Sequence, residues 1–444
     1  MVELSPETIA IIMFAGVLVG VLSGYPFAMA VGTVALVCGY AVWGPTVAKL
    51  LYVRMFGLTT TYVLLAVPLF VFMGAMIERS GTARAMYDAL YLWLGGIKGG
   101  LASVTVVMGT IIAATVGVIG ASISMLGLIA LPSMIRRGYN KSLASGTVCA
   151  AGCLGILIPP SVMLVVYGPS AGVSVGKLFM GAFMPGFLLS ALYIVYISIR
   201  CAIRPEDGPP VPPEERRIPL LKKTAMLAYS IVPPAILILS VLGTIYLGIA
   251  PATEAAGIGA FVATLLAIFY RRLNWNTLKE SALDTVKVSS MIFLVASMAF
   301  MFTGVFIGAG CGNVVKDIVL AAPGGTWGIF GIIMLIVFIL GFFLDWIGIV
   351  LILVPIVTPI IVSLKFDPVW FAMMFCVNLQ CALMTPPFAP AIFFLRGVAP
   401  PELKVSMAEI ISGVMPFVVL ILVGLLLCVA FPEIILWLPS RMIK

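Results

Sequence analysis

Long runs without a charged residue are the feature that most constrains how this chain folds. The uncharged stretches include 8–48, 99–135, 142–176, 224–253 and 368–395. A helix crosses the hydrocarbon core of a bilayer in about 20 residues, so several of these runs hold two helices or a helix with a re-entrant hairpin. A transmembrane β-barrel would instead alternate apolar and polar residues in short strands. The pattern predicts an all-α polytopic membrane protein with about ten to twelve transmembrane helices.

The composition excludes most other classes of protein. Of the 444 residues, 62% are hydrophobic and 9% are charged, whereas soluble domains carry about 25% charged residues. The chain has no histidine, which excludes Ser-His and Cys-His catalytic pairs, His-ligated zinc and His proton relays. The net charge of +8 fits basic cytoplasmic loops, and no basic stretch interleaved with aromatic residues supports nucleic-acid binding. We expect neither a resident cofactor nor enzymatic activity.

One Pro-rich, charged segment divides the chain into two halves. Residues 200–223 read RCAIRPEDGPPVPPEERRIPLLKK, which is too short for a domain. The other basic clusters are at 136–141 and 271–276, and two helices between neighbouring clusters place all three on the cytoplasmic side. We therefore expect a first transmembrane repeat at 1–199, a cytoplasmic linker at 200–223 and a second transmembrane repeat at 224–444.

The two halves share proline marks at a constant spacing. The interval from Pro132 to Pro359 equals the interval from Pro160 to Pro387, and it is about half the length of the chain. Internal repeats with broken helices at matching positions are typical of secondary transporters. The basic cluster after the first hairpin has a neutral counterpart in the second half, which favours inverted repeats.

Each half contains a hairpin-like segment followed by a Pro-Pro break. In the first half we expect a hairpin around 114–133 and a helix broken at Pro159-Pro160. Proline removes a backbone donor and disfavours helix at the residue before it, and the carbonyls that it frees cannot face lipid. Such an interruption lines a cavity or binds an ion, and the helix N-terminus that it creates attracts an anion. The matched breaks therefore predict an ion or substrate site.

The second half adds polar side chains to the same plan. We expect a hairpin around 330–360 that contains Asp345. A buried carboxylate in a membrane is functional by default, although a position at a hairpin tip near water also fits. Asn378 precedes the second break at Thr385-Pro386-Pro387, and its amide oxygen suits a small cation.

Three further residues admit two interpretations each. Glu254 interrupts an apolar stretch, either as a functional carboxylate or as a residue at a helix start. Arg396 follows the second break, where it either pairs with a substrate carboxylate or acts only as a topology determinant. Ser170 lies in a G-x-S-x-G pattern, but a chain without histidine leaves it no ordinary base, so we do not expect catalysis.

The two breaks belong to a wider set of motifs. They read Ile158-Pro159-Pro160-Ser161 and Thr385-Pro386-Pro387. The other members of the set are Leu65–Phe70 with Gly74, Gly138-Tyr139, Gly152, Tyr167-Gly168, Pro185-Gly186, Pro251–Ala255, Asp345 and Asn378. Together these residues, which extend over nearly the whole chain, resemble the large permease subunit of TRAP (tripartite ATP-independent periplasmic) transporters, the DctM-like family.

The resemblance implies a function and partners. Members of the family import organic acids, commonly carboxylates such as C4-dicarboxylates, across the bacterial inner membrane with a sodium gradient. They work with a small four-helix membrane subunit and a soluble periplasmic substrate-binding protein. Their two inverted repeats, each with a re-entrant hairpin, move as an elevator.

The resemblance also implies where sodium and substrate bind, namely between the hairpin tips and the broken helices. Backbone carbonyls would hold most of the sodium coordination. Carried over by position, the site residues are Gly117, Gly120, Ser122, Ser124, Gly155, Pro159, Pro160, Ser161, Gly341, Asp345, Asn378, Thr385, Pro386 and Pro387.

Two places depart from the family pattern. The first hairpin has Val118 and Ile119 where the family is often Ser-Gly-Ser-rich, and Phe388-Ala389 follows the second break where Val-Gly is usual. These departures leave the substrate and the ion stoichiometry open.

Other functions fit the sequence less well. The alternative function is a stand-alone ion-coupled carboxylate carrier that needs no binding protein. A membrane-embedded enzyme would need a nucleophile and a base, and a passive channel fits the two-repeat plan with single buried charges less well than alternating access.

Overall fold

The fold consists of α-helices throughout. The computed structural model describes residues 5–216 and 218–442, and this part of the chain contains no β-strand, which confirms the predicted all-α class. The helices of the first half are α1 (Pro6–Leu22), α2 (Phe27–Trp43), α3 (Val47–Thr59), α4 (Ala66–Arg79), α5 (Thr82–Leu94), α6 (Gly100–Val116), α7 (Ile119–Arg136), α8 (Lys141–Cys153), α9 (Val162–Ala171) and α10 (Val175–Ile203). Those of the second half are α11 (Leu220–Ile238), α12 (Thr244–Tyr246), α13 (Ala252–Phe269), α14 (Trp275–Gly308), α15 (Cys311–Leu320), α16 (Gly325–Leu340), α17 (Trp346–Ser363), α18 (Pro368–Met384), α19 (Pro390–Val398), α20 (Met407–Ala430) and α21 (Glu433–Ser440).

The helices are long and apolar enough for a multi-pass membrane protein. Nine helical segments of the described ranges qualify as membrane spans by length and composition, and six shorter apolar helices accompany them. The shorter set includes α6, α8, α9, α16 and α18. These helices form hairpins and broken spans, and an interruption inside the membrane divides one span into two helices that are each too short to cross it.

Two helical hairpins have longer arms than the sequence indicated. α6 and α7 meet at Gly117-Val118, so the first hairpin extends over 100–136 rather than 114–133. α16 and α17 meet at Gly341–Asp345, so the second extends over 325–363 rather than 330–360. Gly117 has a φ of +68°, a left-handed conformation that glycine adopts without steric cost, and it therefore ends α6 and lets the chain reverse.

Both broken helices stop at a Pro-Pro pair. α8 continues through a 3₁₀ turn at Leu154–Ile156, and Pro159-Pro160 then separate it from α9. α18 ends at Met384, and Thr385-Pro386-Pro387 separate it from α19. Both Pro-Pro peptide bonds are cis. Neither segment continues as a helix because two adjacent prolines supply no N–H donors.

Helix boundaries in the second half reproduce those of the first half at the spacing of the prolines. The first residues of α7 and α17, Ile119 and Trp346, are separated by the same interval as Pro160 and Pro387. The starts of α8 and α18 have this interval as well. The outer helices differ, because α3 and α4 are separate whereas α14 is one helix of 34 residues. The inverted orientation of the repeats and the division of the chain into domains at 200–223 stay predictions.

Glycines bring α8 and α20 into backbone contact. A Cβ atom on Gly146 would lie 2.0 Å from the carbonyl oxygen of Gly413, and a Cβ atom on Gly413 would lie 2.0 Å from that of Ser142. Lipid tails are as apolar as the helix surfaces, so van der Waals contact rather than the hydrophobic effect joins helices in a bilayer. Small residues at this crossing therefore stabilise the association of the two halves.

The linker between the halves lies against the base of the first hairpin. The Gly99 N–H donates to the Gly208 carbonyl (2.8 Å) and the Asn140 N–H donates to the Asp207 carbonyl (3.0 Å). α10 extends to Ile203 and α11 begins at Leu220, so the linker is shorter than the predicted 200–223. Its backbone bonds tie the connection between the halves to both ends of the hairpin.

An ion pair adds to this attachment. Arg137, just after α7, pairs with Glu215 of the linker, and the Tyr91 hydroxyl donates to the same carboxylate (2.9 Å). The Arg137 and Tyr91 hydrogen bonds hold the pKa of the Glu215 carboxyl below its usual range. Glu215 therefore stays charged, and paired with Arg137, at neutral pH.

Replacing Gly413 by alanine should loosen the crossing of α8 and α20. The added methyl group overlaps the Ser142 carbonyl, so we expect the free energy of unfolding to fall by about 1–3 kcal/mol, seen as a lower Tm in detergent. Gly257→Ala is the matched control, because this helical glycine of α13 has no neighbouring atom within 4 Å in the described chain. Equal melting temperatures for the two variants would contradict the proposed role of the crossing.

Candidate functional site

Four helices, α7, α9, α17 and α19, begin at the hairpin tips and helix breaks. Within the described ranges, none of them has a side-chain capping hydrogen bond at its N-terminus. The side chains of Asn140, Asp367 and Ser406, by contrast, cap α8, α18 and α20 at connecting loops. An uncapped N-terminus carries free N–H groups and a partial positive charge. The interruptions therefore offer N–H donors to an anionic group.

The tip of the first hairpin lies directly on the first break. A Cβ atom on Gly117 would lie 2.8 Å from the Pro160 carbonyl oxygen and 3.6 Å from Ser161 Cα. A Cβ atom on Gly155 would lie 2.8 Å from Ser122 Oγ. The structure thus brings these five predicted site residues together around one hairpin tip, and larger residues than glycine would not fit between them.

Buried hydroxyl groups provide oxygen donors at this tip. Ser122 is fully buried, and its Oγ has no hydrogen-bond partner among the residues that the structure describes. Ser161 is also fully buried, and its hydroxyl donates to the Ile156 carbonyl, which leaves the lone pairs of the hydroxyl free. An unsatisfied buried polar group costs about 1–3 kcal/mol, so a ligand that uses the Ser122 oxygen would regain that free energy.

The second hairpin tip also contacts a helix break, but with different side chains. We call each contact between a hairpin tip and a break a half-site. A Cβ atom on Gly341 would lie 2.1 Å from Ala382 Cβ, so the second hairpin contacts α18 just before its break. Asn378 donates through Nδ2 to the Met334 carbonyl of α16 (2.7 Å), and Thr385 donates to the Cys381 carbonyl (2.6 Å). The Asn378 amide thus ties α18 to the hairpin through its nitrogen and leaves its oxygen as an acceptor.

The helices that follow the two breaks are exchanged between the half-sites. α9 packs against α17 of the second hairpin, and α19 packs against α7 of the first. A Cβ atom on Gly120 would lie 3.3 Å from the Phe394 ring of α19, and the Cys149 thiol donates to the Ala391 carbonyl (3.6 Å). Each half-site is therefore built partly from the other half of the chain.

Two of the predicted site residues form none of these contacts between hairpin tips and helix breaks. Ser124 and Asp345 are half-buried and form no hydrogen bond with another described side chain or carbonyl. Asp345 is the N-cap residue of α17, which is the hairpin-tip position that the sequence left open. Its carboxylate faces the backbone N–H groups of Trp346 and Ile347 at the start of this helix.

Sequence reasoning missed the aromatic wall beside the first tip. Phe394 of α19 contacts the Gly120 position, and its equivalent at the spacing of the prolines is Tyr167 of α9. Tyr167 packs edge-on against Phe375 with ring centroids 5.6 Å apart. An aromatic residue at the same distance from both breaks was the signal that could have identified this wall.

Glu254, Arg396 and Ser170, which each admitted two interpretations, form contacts within the fold. Glu254 lies exposed in the first turn of α13 and accepts a hydrogen bond from Tyr62 (3.3 Å), as expected for a carboxylate at a helix start. Arg396 donates to the Val405 carbonyl and so joins α19 to the loop before α20. The Ser170 hydroxyl donates to the Val166 carbonyl of its own helix (2.9 Å), which offers no activation of a nucleophile.

The donor set consists of hard oxygen ligands rather than the nitrogen and sulfur ligands of transition metals. The described residues contain no group of three or more His, Cys, Asp or Glu side chains that could hold a metal ion. The oxygens available at the tips and breaks are carbonyls, hydroxyls, one amide and one carboxylate. Such ligands suit alkali and alkaline-earth ions.

Comparison with known protein families gives a match over residues 10–434 to the family described as tripartite ATP-independent periplasmic transporter, DctM component. The chain belongs to this family. The match confirms the resemblance that the Pro-Pro motifs indicated. DctM-family proteins are transporter permeases, which confirms that the chain is not an enzyme.

Two curated relatives and one solved structure extend the comparison. The chain is 30% identical over 399 residues to the C4-dicarboxylate TRAP transporter large permease protein DctM of Pseudomonas aeruginosa, covering 90% of this chain and 91% of that protein. It is 29% identical over 415 residues to the isethionate TRAP transporter permease protein DctMQ of Oleidesulfovibrio alaskensis, and the match covers 93% of this chain and 63% of that protein. The crystal structure of the YdaH transporter of Alcanivorax borkumensis matches with a TM-score of 0.54 at 17% identity, over 84% of this chain and 88% of that one, a likeness in fold alone.

Replacing Gly117 by alanine should abolish the contact between the first tip and the first break. The methyl group would lie 2.8 Å from the Pro160 carbonyl, so we expect transport to fall by about tenfold or more at unchanged expression. Gly172→Ala is a matched control, because Gly172 has nearly the same φ (+65°) but no neighbour within 4 Å among the described residues. The interpretation fails if both variants lose transport equally.

Proposed function

We propose that this DctM-family chain is the permease subunit of a sodium-coupled importer of small organic acids. The observation that carries the proposal is the pairing, at each of two hairpin–break contacts, of helix N-termini with helix C-terminal carbonyls, together with the unpartnered Ser122 Oγ at the first contact. N-termini attract the acid group, and carbonyls attract the cation. One set of helix interruptions thus supplies both kinds of binding site.

The substrate class follows from the charge of the site. The N-termini of α7, α9 and α19 at the interruptions carry no acidic residue and favour an anionic group, such as a carboxylate or a sulfonate. The relatives whose names mention a C4-dicarboxylate and isethionate carry substrates with such groups. We propose carboxylates such as C4-dicarboxylates or related acids as substrates of this chain.

Sodium is the proposed coupling ion. Ser122 Oγ is buried without a partner in the described part of the chain, and the neighbouring segment at Gly155–Ser161 has carbonyls that no continuous helix occupies. Asn378 and Asp345 would provide the corresponding oxygens at the second tip. These hard oxygen donors fit Na⁺.

The proposed mechanism is an elevator motion of two inverted repeats. The equal spacing of helix starts and the exchange of α9 and α19 between the hairpins support a compact unit that moves as one body. Moving that unit past the outer helices would expose the site alternately to each side of the membrane.

The proposed complex contains two further proteins and lies in the bacterial inner membrane. Family membership supports a small four-helix membrane subunit and a periplasmic substrate-binding protein as partners. In this arrangement the binding protein delivers the organic acid, and the present chain carries it across the lipid bilayer.

Uptake by proteoliposomes tests the proposed function. The full chain would be reconstituted with its small membrane subunit and binding protein under an inward sodium gradient, with labelled succinate and isethionate as probes. We expect uptake that requires sodium and every component. Uptake without the binding protein would instead support the stand-alone carrier. Equal uptake with and without the sodium gradient would contradict sodium coupling.

Replacing Ser122 by alanine should weaken sodium activation. Loss of one oxygen ligand to a charged group should raise the sodium concentration for half-maximal uptake by about tenfold. Ser103→Ala is the matched control, since Ser103 is also buried and unpartnered within the described chain but lies near the base of the hairpin. Unchanged sodium activation in Ser122→Ala would remove Ser122 from the site, and normal transport with unchanged sodium dependence in both Asp345→Asn and Asn378→Ala would remove the second half-site.

A further inference from the structure

A groove on the outer surface of α10 has no place in the transport site. Tyr196, Ile199, Arg200, Ile203 and Arg204 line a cavity of about 460 Å³. Their spacing of three and four residues places them on one face of the helix. The groove lies at the C-terminal end of α10, next to the basic linker that the sequence assigns to the cytoplasmic side.

The groove combines an aliphatic wall with two cations. Ile199 and Ile203 are 55% and 74% exposed, as side chains that face lipid tails are. Arg200 and Arg204 lie one turn apart near the last residue of α10, where a helix of 29 residues has left the hydrocarbon core. Each isoleucine precedes an arginine by one residue, so apolar and cationic side chains alternate along the groove at the membrane surface. The long arginine stems carry their guanidinium groups outward, toward a headgroup, while the isoleucines stay against the tails.

The cations keep hydrogen-bond donors unused. Arg200 donates through Nε to Asp207 and through Nη1 to the Tyr196 hydroxyl, each at 2.8 Å, and its remaining guanidinium hydrogens are free. The Tyr196 hydroxyl accepts this bond and keeps its own hydrogen to donate. Arg204 is exposed and has no ion pair or hydrogen bond from its side chain within the part of the chain that the structure describes.

We propose that this groove binds the phosphate headgroup of an anionic phospholipid, with one acyl chain along Ile199 and Ile203. Arg204 and the free Nη hydrogens of Arg200 contact the phosphate, and the Tyr196 hydroxyl donates to it. Planar guanidinium groups suit phosphate oxygens. The aliphatic wall selects a lipid over a soluble phosphate, which would leave both isoleucines without contact.

The site shares Arg200 with the linker. Asp207, the partner of Arg200, is 6% exposed, and its carbonyl accepts the Asn140 N–H at the base of the first hairpin. A bound headgroup therefore contacts the same guanidinium that fixes the linker. Arg204 has no such second role, so Arg204→Gln changes the lipid site alone.

Native mass spectrometry of the purified full chain tests the proposal. Wild type and variants would be titrated with phosphatidylglycerol and, separately, with phosphatidylcholine, which carries no net charge. We expect a phosphatidylglycerol complex with wild type that is about fivefold weaker in Arg204→Gln, because each basic side chain at an anionic lipid contributes about 1 kcal/mol. Arg136→Gln is the matched control, since Arg136 is an exposed arginine at the end of α7, outside the groove.

Four results would overturn the proposal. They are unchanged phosphatidylglycerol binding in Arg204→Gln, an equal loss in Arg136→Gln, equal retention of phosphatidylcholine by wild type, and full displacement of the lipid by millimolar inorganic phosphate. The last would indicate a soluble-anion site. In the same measurement on the complex with the small membrane subunit, a fifth result would also overturn the proposal: release of that subunit from Arg204→Gln, but not from Arg136→Gln, which would assign the groove to a protein interface.

Discussion

Backbone hydrogen bonding in the absence of water is the constraint on which the rest of this structure depends. Inside a bilayer every N–H and C=O group must be satisfied within the protein, and a helix achieves this along its whole length except at its ends. The described chain accordingly consists of helices, and its long apolar segments are interrupted at two hairpin tips and two Pro-Pro breaks. Those four places are therefore where backbone groups remain for a ligand.

The same constraint explains why glycine and proline, rather than charged side chains, mark the candidate site. Proline creates the helix ends by removing donors, and Gly117 allows the hairpin tip to lie against the Pro160 carbonyl. In the proposed site, binding uses mainly partial charges fixed in the backbone, and Asp345 is the one full charge among the candidate residues. A cation and an anion that enter together also neutralise each other, so each lowers the cost of burying the other. This provides a physical basis for the proposed sodium coupling.

Much of the fold could be predicted from the sequence because its determinants are local. Uncharged runs predict membrane helices, and the constant spacing between prolines recurs in the helix starts Ile119 and Trp346. α6 and α16 begin at the glycine pairs Gly99-Gly100 and Gly324-Gly325, which the predicted bounds of the hairpins did not use. The hydrogen-bond partner of Asn378 could not be predicted either, because its bond to the Met334 carbonyl depends on how α16 packs against α18. The contact of Phe394 with the first tip depends likewise on α19 crossing to the other half.

The two halves differ in their outer helices, although the starts of their inner helices have equal spacing. α14 is one continuous helix, whereas the corresponding part of the first half is divided into α3 and α4. If two inverted repeats were identical, a two-fold rotation about an axis in the membrane plane would convert the inward-open state into the outward-open state, and an unloaded transporter in a symmetric membrane would populate the two equally. The continuous helix α14 in one half and the separate helices α3 and α4 in the other make the two states differ in free energy. Under the proposed alternating-access mechanism, we expect this difference between the outer helices to give the unloaded protein a preferred resting side.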